Sequence, residues 1–194
     1  EDKWFVPIRK QTGYIRVLDE GNVEGIMPVG LKDRYVEYTE DGKLEWCGYV
    51  VPDVFSEDWD VTPIEIELPV VSGIGVLSGL YLDEKDGLGV VPLAKILYDA
   101  LKATGIDYSI VYIPKEVTEN EGSTDYLYPL KISVSRYNFF SENDSLNNDD
   151  PDWVRYNGET HYDALSELMK FWGWTIRERG RDIWITSTVN TGSV

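Results

Sequence analysis

Thr160-His161-Tyr162-Asp163-Ala164-Leu165-Ser166-Glu167-Leu168-Met169-Lys170-Phe171-Trp172-Gly173-Trp174-Thr175-Ile176-Arg177, closed by Gly180-Arg181-Asp182-Ile183-Trp184-Ile185-Thr186, decides how this chain is read. Thr160 is a helix cap, and Asp163 three residues on is its capping-box partner. Leu165, Leu168, Met169 and Trp172 recur at helical spacing and predict a buried stripe. Gly173 ends the helix. Residues 174–178 and 183–187 then read as two strands paired across 179–181. The unit is well punctuated and holds no evident active site, which points to a structural role.

A second helix is predicted over 92–105. Pro92 suits the first helical position. Leu93, Ile96, Leu97, Ala100 and Leu101 share one face, and Gly105 is the stop. Strands are expected at 107–113 and 130–136. The chain therefore holds helix, glycine, strand twice, in copies too dissimilar to be a sequence repeat.

Upstream the pattern is β. Residues 4–9 and 13–18 read as short strands, with Gln11, Thr12 and Gly13 at the turn between them. Residues 34–39 and 44–51 flank Asp41-Gly42, a strong hairpin signal. In 62–71, Ile64, Ile66 and Leu68 alternate with Glu65, Glu67 and Pro69, the pattern of a half-buried strand. The fold class is α+β. A mainly antiparallel β portion spans 1–71, and an α/β portion with two helix–strand units spans 72–194. Residues 141–152 crowd Asn and Asp with little to bury and read as an acidic loop.

The chain has 194 residues, 42% of them hydrophobic, enough for one domain with a real core or two small ones sharing an interface. It lacks a starting Met and is read as a piece of a longer protein. No apolar run approaches the roughly 20 residues of a membrane helix. With 35 acids against 18 Lys and Arg, the net charge is −17, which repels phosphate backbones and argues against nucleic-acid recognition.

Few residues carry chemistry. One Cys, Cys47, excludes a disulfide within the chain, and one His, His161, leaves too few ligands for a Cys/His zinc site. A triad would have to use His161, expected to be exposed in the first turn of a helix. The acids of 141–152 lack the spacing and glycine of an EF-hand. Ser72-Gly73-Ile74-Gly75 after a strand begins a dinucleotide fingerprint, but its third glycine is misplaced and no long helix follows. It reads instead as a tight turn and a short helical piece. No catalytic residue, cofactor or metal is expected. Seven Trp and thirteen Tyr keep a carbohydrate-binding module of a bacterial surface protein as the alternative function. Trp153, Trp172, Trp174 and Trp184 are the candidate contact surface.

The helix-and-hairpin run resembles a segment of phage and prophage tail proteins, of the hub or baseplate type found in Bacteroidetes-type prophages. Upstream, Leu44-Glu45-Trp46-Cys47-Gly48-Tyr49-Val50 resembles the strand entering that family's first barrel-like sheet. Residues 64–77 resemble the strand and turn that follow it, and residues 93–105 the helix ending in Thr104-Gly105-Ile106. The likeness covers roughly residues 44–187. It departs at Ser72, where the family carries an acid, and at the final turn, lengthened by Asp182 and Ile183. The resemblance implies a barrel-like β part and a non-catalytic assembly protein. It further implies a trimer contacting other tail proteins, resident in the virion tail and assembled in the bacterial cytoplasm. An acidic surface suits a tube through which DNA slides without sticking.

Overall fold

The computed structural model describes residues 5–19, 25–52, 64–82, 90–114, 133–135 and 160–188. The fold is α+β with mostly antiparallel strands. The N-terminal sheet has the order β2-β5-β4-β3, built from β2 (Thr12–Asp19), β3 (Tyr35–Glu40), β4 (Lys43–Val50) and β5 (Ile64–Ser72). All its pairings are antiparallel. The β3–β4 turn falls at Asp41 and Gly42, with φ of 51° and 77°. That double left-handed turn explains why Asp-Gly marks the hairpin.

The C-terminal sheet has the order β1-β9-β10-β7: β1 (Ile8–Arg9), β7 (Ile110–Tyr112), β9 (Trp174–Arg179) and β10 (Asp182–Ser187). β9 and β10 form the expected hairpin, while β1 and β7 join in parallel at opposite sides. The first two predicted strands therefore do not pair with each other. β1 crosses to β9, matching Ile8 to Ile176, because Ile8 belongs to the C-terminal core. A short ribbon pairs β6 (Val90–Pro92) with β8 (Ser133–Ser135).

Among the described residues three α-helices lie between these strands: α1 (Gly73–Val76), α2 (Leu93–Ala103) and α3 (His161–Trp172). A 3-10 turn, Leu77–Gly79, follows α1. The Gly-x-Gly segment is thus a short helical piece. All five residues predicted for the apolar face of α2 are buried. Pro92 sits one place before the helix, in extended conformation with ψ 146°, because it also closes β6. α3 carries the full Thr160–Asp163 capping box and ends on Gly173 at φ 65°.

The main core lies between the C-terminal sheet and α2 and α3. Ile8, Ile74, Leu77, Leu165, Met169, Ile176 and Ile183 are its largest fully buried side chains. Each such side chain contributes about 1.5–3 kcal/mol by leaving water. A second cluster, Val50, Ile66, Leu68 and Val70, lines one face of the N-terminal sheet. A third, Cys47, Tyr49, Val71, Val76 and Ile106, fills the junction between the two sheets.

His161 is half-buried rather than exposed. Its backbone N–H donates to Leu80 O at 2.9 Å, because Tyr81 and Thr160 form a β-bridge that draws the helix start inward. Residues 141–152 and Trp153 lie outside the described residues.

Candidate functional site

The densest polar arrangement is at the junction of the sheets and centres on Glu178. In β9, Trp174, Ile176 and Glu178 point inward in alternation, so strand geometry drives an acid into the core. Glu178 is only 4% exposed. Its carboxylate accepts from Ile74 N–H at 3.1 Å and from the Tyr108 hydroxyl. Ser72 and the Gly73 amide act in the same sense. Burial is the largest influence and holds the Glu178 carboxyl above the ordinary range, against the pull of those donors. Tyr108 is pushed far above a normal phenol, first by burial and then by the Glu178 charge.

Gly73 is required by this packing. A Cβ there would meet Ile106 Cδ1 at 2.4 Å, Tyr108 Oη at 2.5 Å and Glu178 Oε1 at 2.9 Å. The glycines of the Gly-x-Gly segment thus serve close packing against a carboxylate, and the cradle a phosphate would need holds an acid instead.

Around this centre the β9–β10 turn is tied to the β3–β4 hairpin. Cys47 Sγ–H donates to Gly180 O at 3.3 Å, and Gly180 N–H donates to Glu45 O at 3.2 Å. Arg181 pairs with Glu37, which also accepts from Tyr35 Oη at 2.9 Å. The bond from Tyr35, then that from Arg181, keeps the Glu37 carboxyl below its usual range. Tyr49 Oη donates to Thr104 O at 2.8 Å, fastening the end of α2 to β4. Burial raises the Cys47 thiol, which leaves it a poor nucleophile. The seam is suited to holding two sheets in fixed relation. Among the described residues no group of His, Cys, Asp and Glu is arranged to hold a metal, and no helix is long and apolar enough to cross a membrane.

The tryptophans of the candidate contact surface do not form one patch. Trp174 is 3% exposed and belongs to the core. Half-buried Trp172 stacks on it, with centroids 5.7 Å apart, and meets exposed Phe171 edge-on at 5.0 Å. Trp184 lies on the opposite face of the C-terminal sheet, stacked on Tyr112 at 4.1 Å. The indole N–H groups of Trp172 and Trp184 are buried and have no acceptor among the described residues. Glu178 and Tyr108 are not singled out in the sequence, and Gly73 is read there only as part of a tight turn and short helical piece. The legible signal was an acid in the inward phase of an apolar strand.

No protein-family model matches the chain, and no curated protein matches it. Among solved structures it is similar to the 43 kDa tail protein of prophage MuSo2 from Shewanella oneidensis, at 17% identity and a TM-score of 0.47. The likeness covers 92% of this chain and 46% of that one, so the chain spans about half the length of the tail protein.

Proposed function

We propose that the chain is a non-catalytic structural component of a phage-like tail, of hub or baseplate type. It acts as one of several copies, expected as a trimer, beside other tail proteins, and is assembled in the bacterial cytoplasm. One observation carries this proposal. The segments that resemble tail proteins are whole structural elements: β4 and β5 of the N-terminal sheet, the β9–β10 hairpin of the C-terminal sheet, and α1, α2 and α3. The resemblance thus follows framework elements and not a scatter of surface residues, while β1, β2 and β3 lie outside it. The similarity to the prophage tail protein, at a TM-score of 0.47, adds no weight to it.

Electron microscopy and sedimentation of the intact protein test the proposal. A threefold ring with an axial hole is expected. A monomer that persists at high concentration, or specific binding on a glycan array, would overturn it; the second result would favour the surface-module alternative.

A further inference from the structure

Each sheet leaves part of one face outside the core; on the N-terminal sheet that face is buried at one end by Cys47, Tyr49 and Val71 and open at the other. On the C-terminal sheet, Arg9, Arg177, Trp184 and Tyr112 align in register across β1, β9, β10 and β7. Arg179, Asp182 and Ile110 form the next row. Their strand neighbours Ile8, Ile176, Glu178 and Ile183 are buried, so alternation points these rows outward. Arg9, Arg177 and Arg179 are exposed, as are Ile110 and Tyr112. With strands about 4.8 Å apart, the first row spans about 14 Å. Among the described residues the salt bridges engage Arg16, Lys43, Lys95, Lys170 and Arg181, and none of these three arginines. Arg179 lies opposite Asp182, and after the bond from Lys43 its charge helps to hold the Glu45 carboxyl low, which leaves Arg9 and Arg177 as the stronger basic pair. In a chain of net charge −17, this face runs against the general charge.

The N-terminal sheet presents the opposite character. Tyr14 and Pro69, Arg16 and Glu67, and Leu18 and Glu65 are cross-strand partners. They lie on the face away from the Ile66, Leu68 and Val70 cluster. Tyr14 is 71% exposed and Leu18 61%. Glu65 and Glu67 are exposed and share the single guanidinium of Arg16, at 3.6 and 2.8 Å.

We propose that these two faces recognise each other between copies. The arginine and aromatic face of one molecule's C-terminal sheet takes the glutamate and apolar face of a second molecule's N-terminal sheet. Guanidinium and carboxylate match as planar forks, and Leu18 and Tyr14 supply apolar surface for Ile110, Tyr112 and Trp184. Repulsion between two acidic molecules is screened beyond about 8 Å at physiological salt, so local complementarity governs the contact. A long polyanion would meet that repulsion along its whole length and is disfavoured as the occupant. Because the two faces differ, the contact is head-to-tail, and repetition closes a ring or extends a filament. The inference deepens the assembly reading above and rests on it for the expectation that copies meet.

Sedimentation equilibrium decides it, with circular dichroism confirming that each variant folds. The proteins are wild type, Arg177→Glu/Arg179→Glu, Glu65→Lys/Glu67→Lys, and an equimolar mixture of the two variants. Wild type is expected to self-associate. Each reversal alone is expected to weaken association about tenfold or more, in line with lost charge pairs at an interface. The mixture is expected to recover association between unlike copies, since one variant keeps the native basic face and the other the native acidic face. It is read as dimers or larger even-numbered species, because a three-membered ring cannot alternate two variants. If wild type associates and the variants associate equally well, the faces are wrong while the tail proposal stands. If the variants lose association and the mixture does not recover it, the faces do not meet each other, and the inference falls. A monomeric wild type overturns both.

Discussion

Replacing Glu178 by Ala should loosen the junction between the sheets. Ile74 N–H and the Tyr108 hydroxyl lose their acceptor inside the protein. A buried donor left unpaired costs about 1–3 kcal/mol, so two cost about 2–6 kcal/mol. Removing a desolvated carboxylate returns part of that, leaving a net loss of about 2–4 kcal/mol. Glu178→Gln keeps the shape and one acceptor and should cost less than Ala. The pH dependence is the sharper check. Burial raises the folded pKa of Glu178 above its ordinary 4.5, so the folded protein holds this proton more tightly than the unfolded chain does. Its contribution is full below the ordinary value and declines as pH rises through the folded value. The stability of wild type relative to Glu178→Gln should therefore be greatest in acid and shrink toward neutrality. Urea unfolding followed by circular dichroism over that range measures both effects. A loss on Glu178→Ala within about 0.5 kcal/mol, the scale of a surface change, would refute the seam as a fastening. A wild-type advantage that grows with pH would refute the burial argument.

Gly73→Ala places a methyl group 2.4 Å from Ile106 Cδ1 and should cost about 1–3 kcal/mol by thermal melting. The cost should fall in a Glu178→Ala background, where one obstacle is gone. Thr160→Ala should lose about 1 kcal/mol, and adding Asp163→Ala should cost more, because the residue-160 N–H still donates to Asp163 after the first change; the direct bond from the Thr160 hydroxyl to Asp163 couples the two. A double-mutant cycle reads that coupling. Leu165→Ala, at a side chain 0% exposed, should cost about 2–5 kcal/mol in denaturant unfolding.

Local signals translated directly into structure where the physics is local. Thr160, Asp163 and Gly173 bracket α3 because caps act within a turn of the helix. Asp41-Gly42 placed the β3–β4 hairpin because few other pairs tolerate its backbone. The face of α2 was legible in full because a single period governs it. Long-range partnership was not legible. Nothing near Ile8 announces Ile176 as its neighbour, and strand alternation is the same whichever sheet receives the strand. His161 became half-buried through a bridge to Tyr81, a contact without a local signature. Glu178 was readable as an anomaly, an acid in an inward phase, but its donors Ile74 and Tyr108 come from segments 104 and 70 residues away. The aromatic count gave no guide to exposure, since Trp174 is core and Trp184 is not.

The crossing of β1 to β9 has a consequence in time. The N-terminal sheet is contiguous in the chain and can pair as soon as Ser72 has been made. The C-terminal sheet cannot: Ile8 and Arg9 are among the first described residues, and their partners are among the last. The roughly 115 residues between Ser72 and Ser187 take about 6–23 s to synthesise at about 5–20 residues per second. Through that interval the first strand has no sheet to join. The capture of β1 by the later-made β9–β10 hairpin then fastens the early-made sheet to the late one.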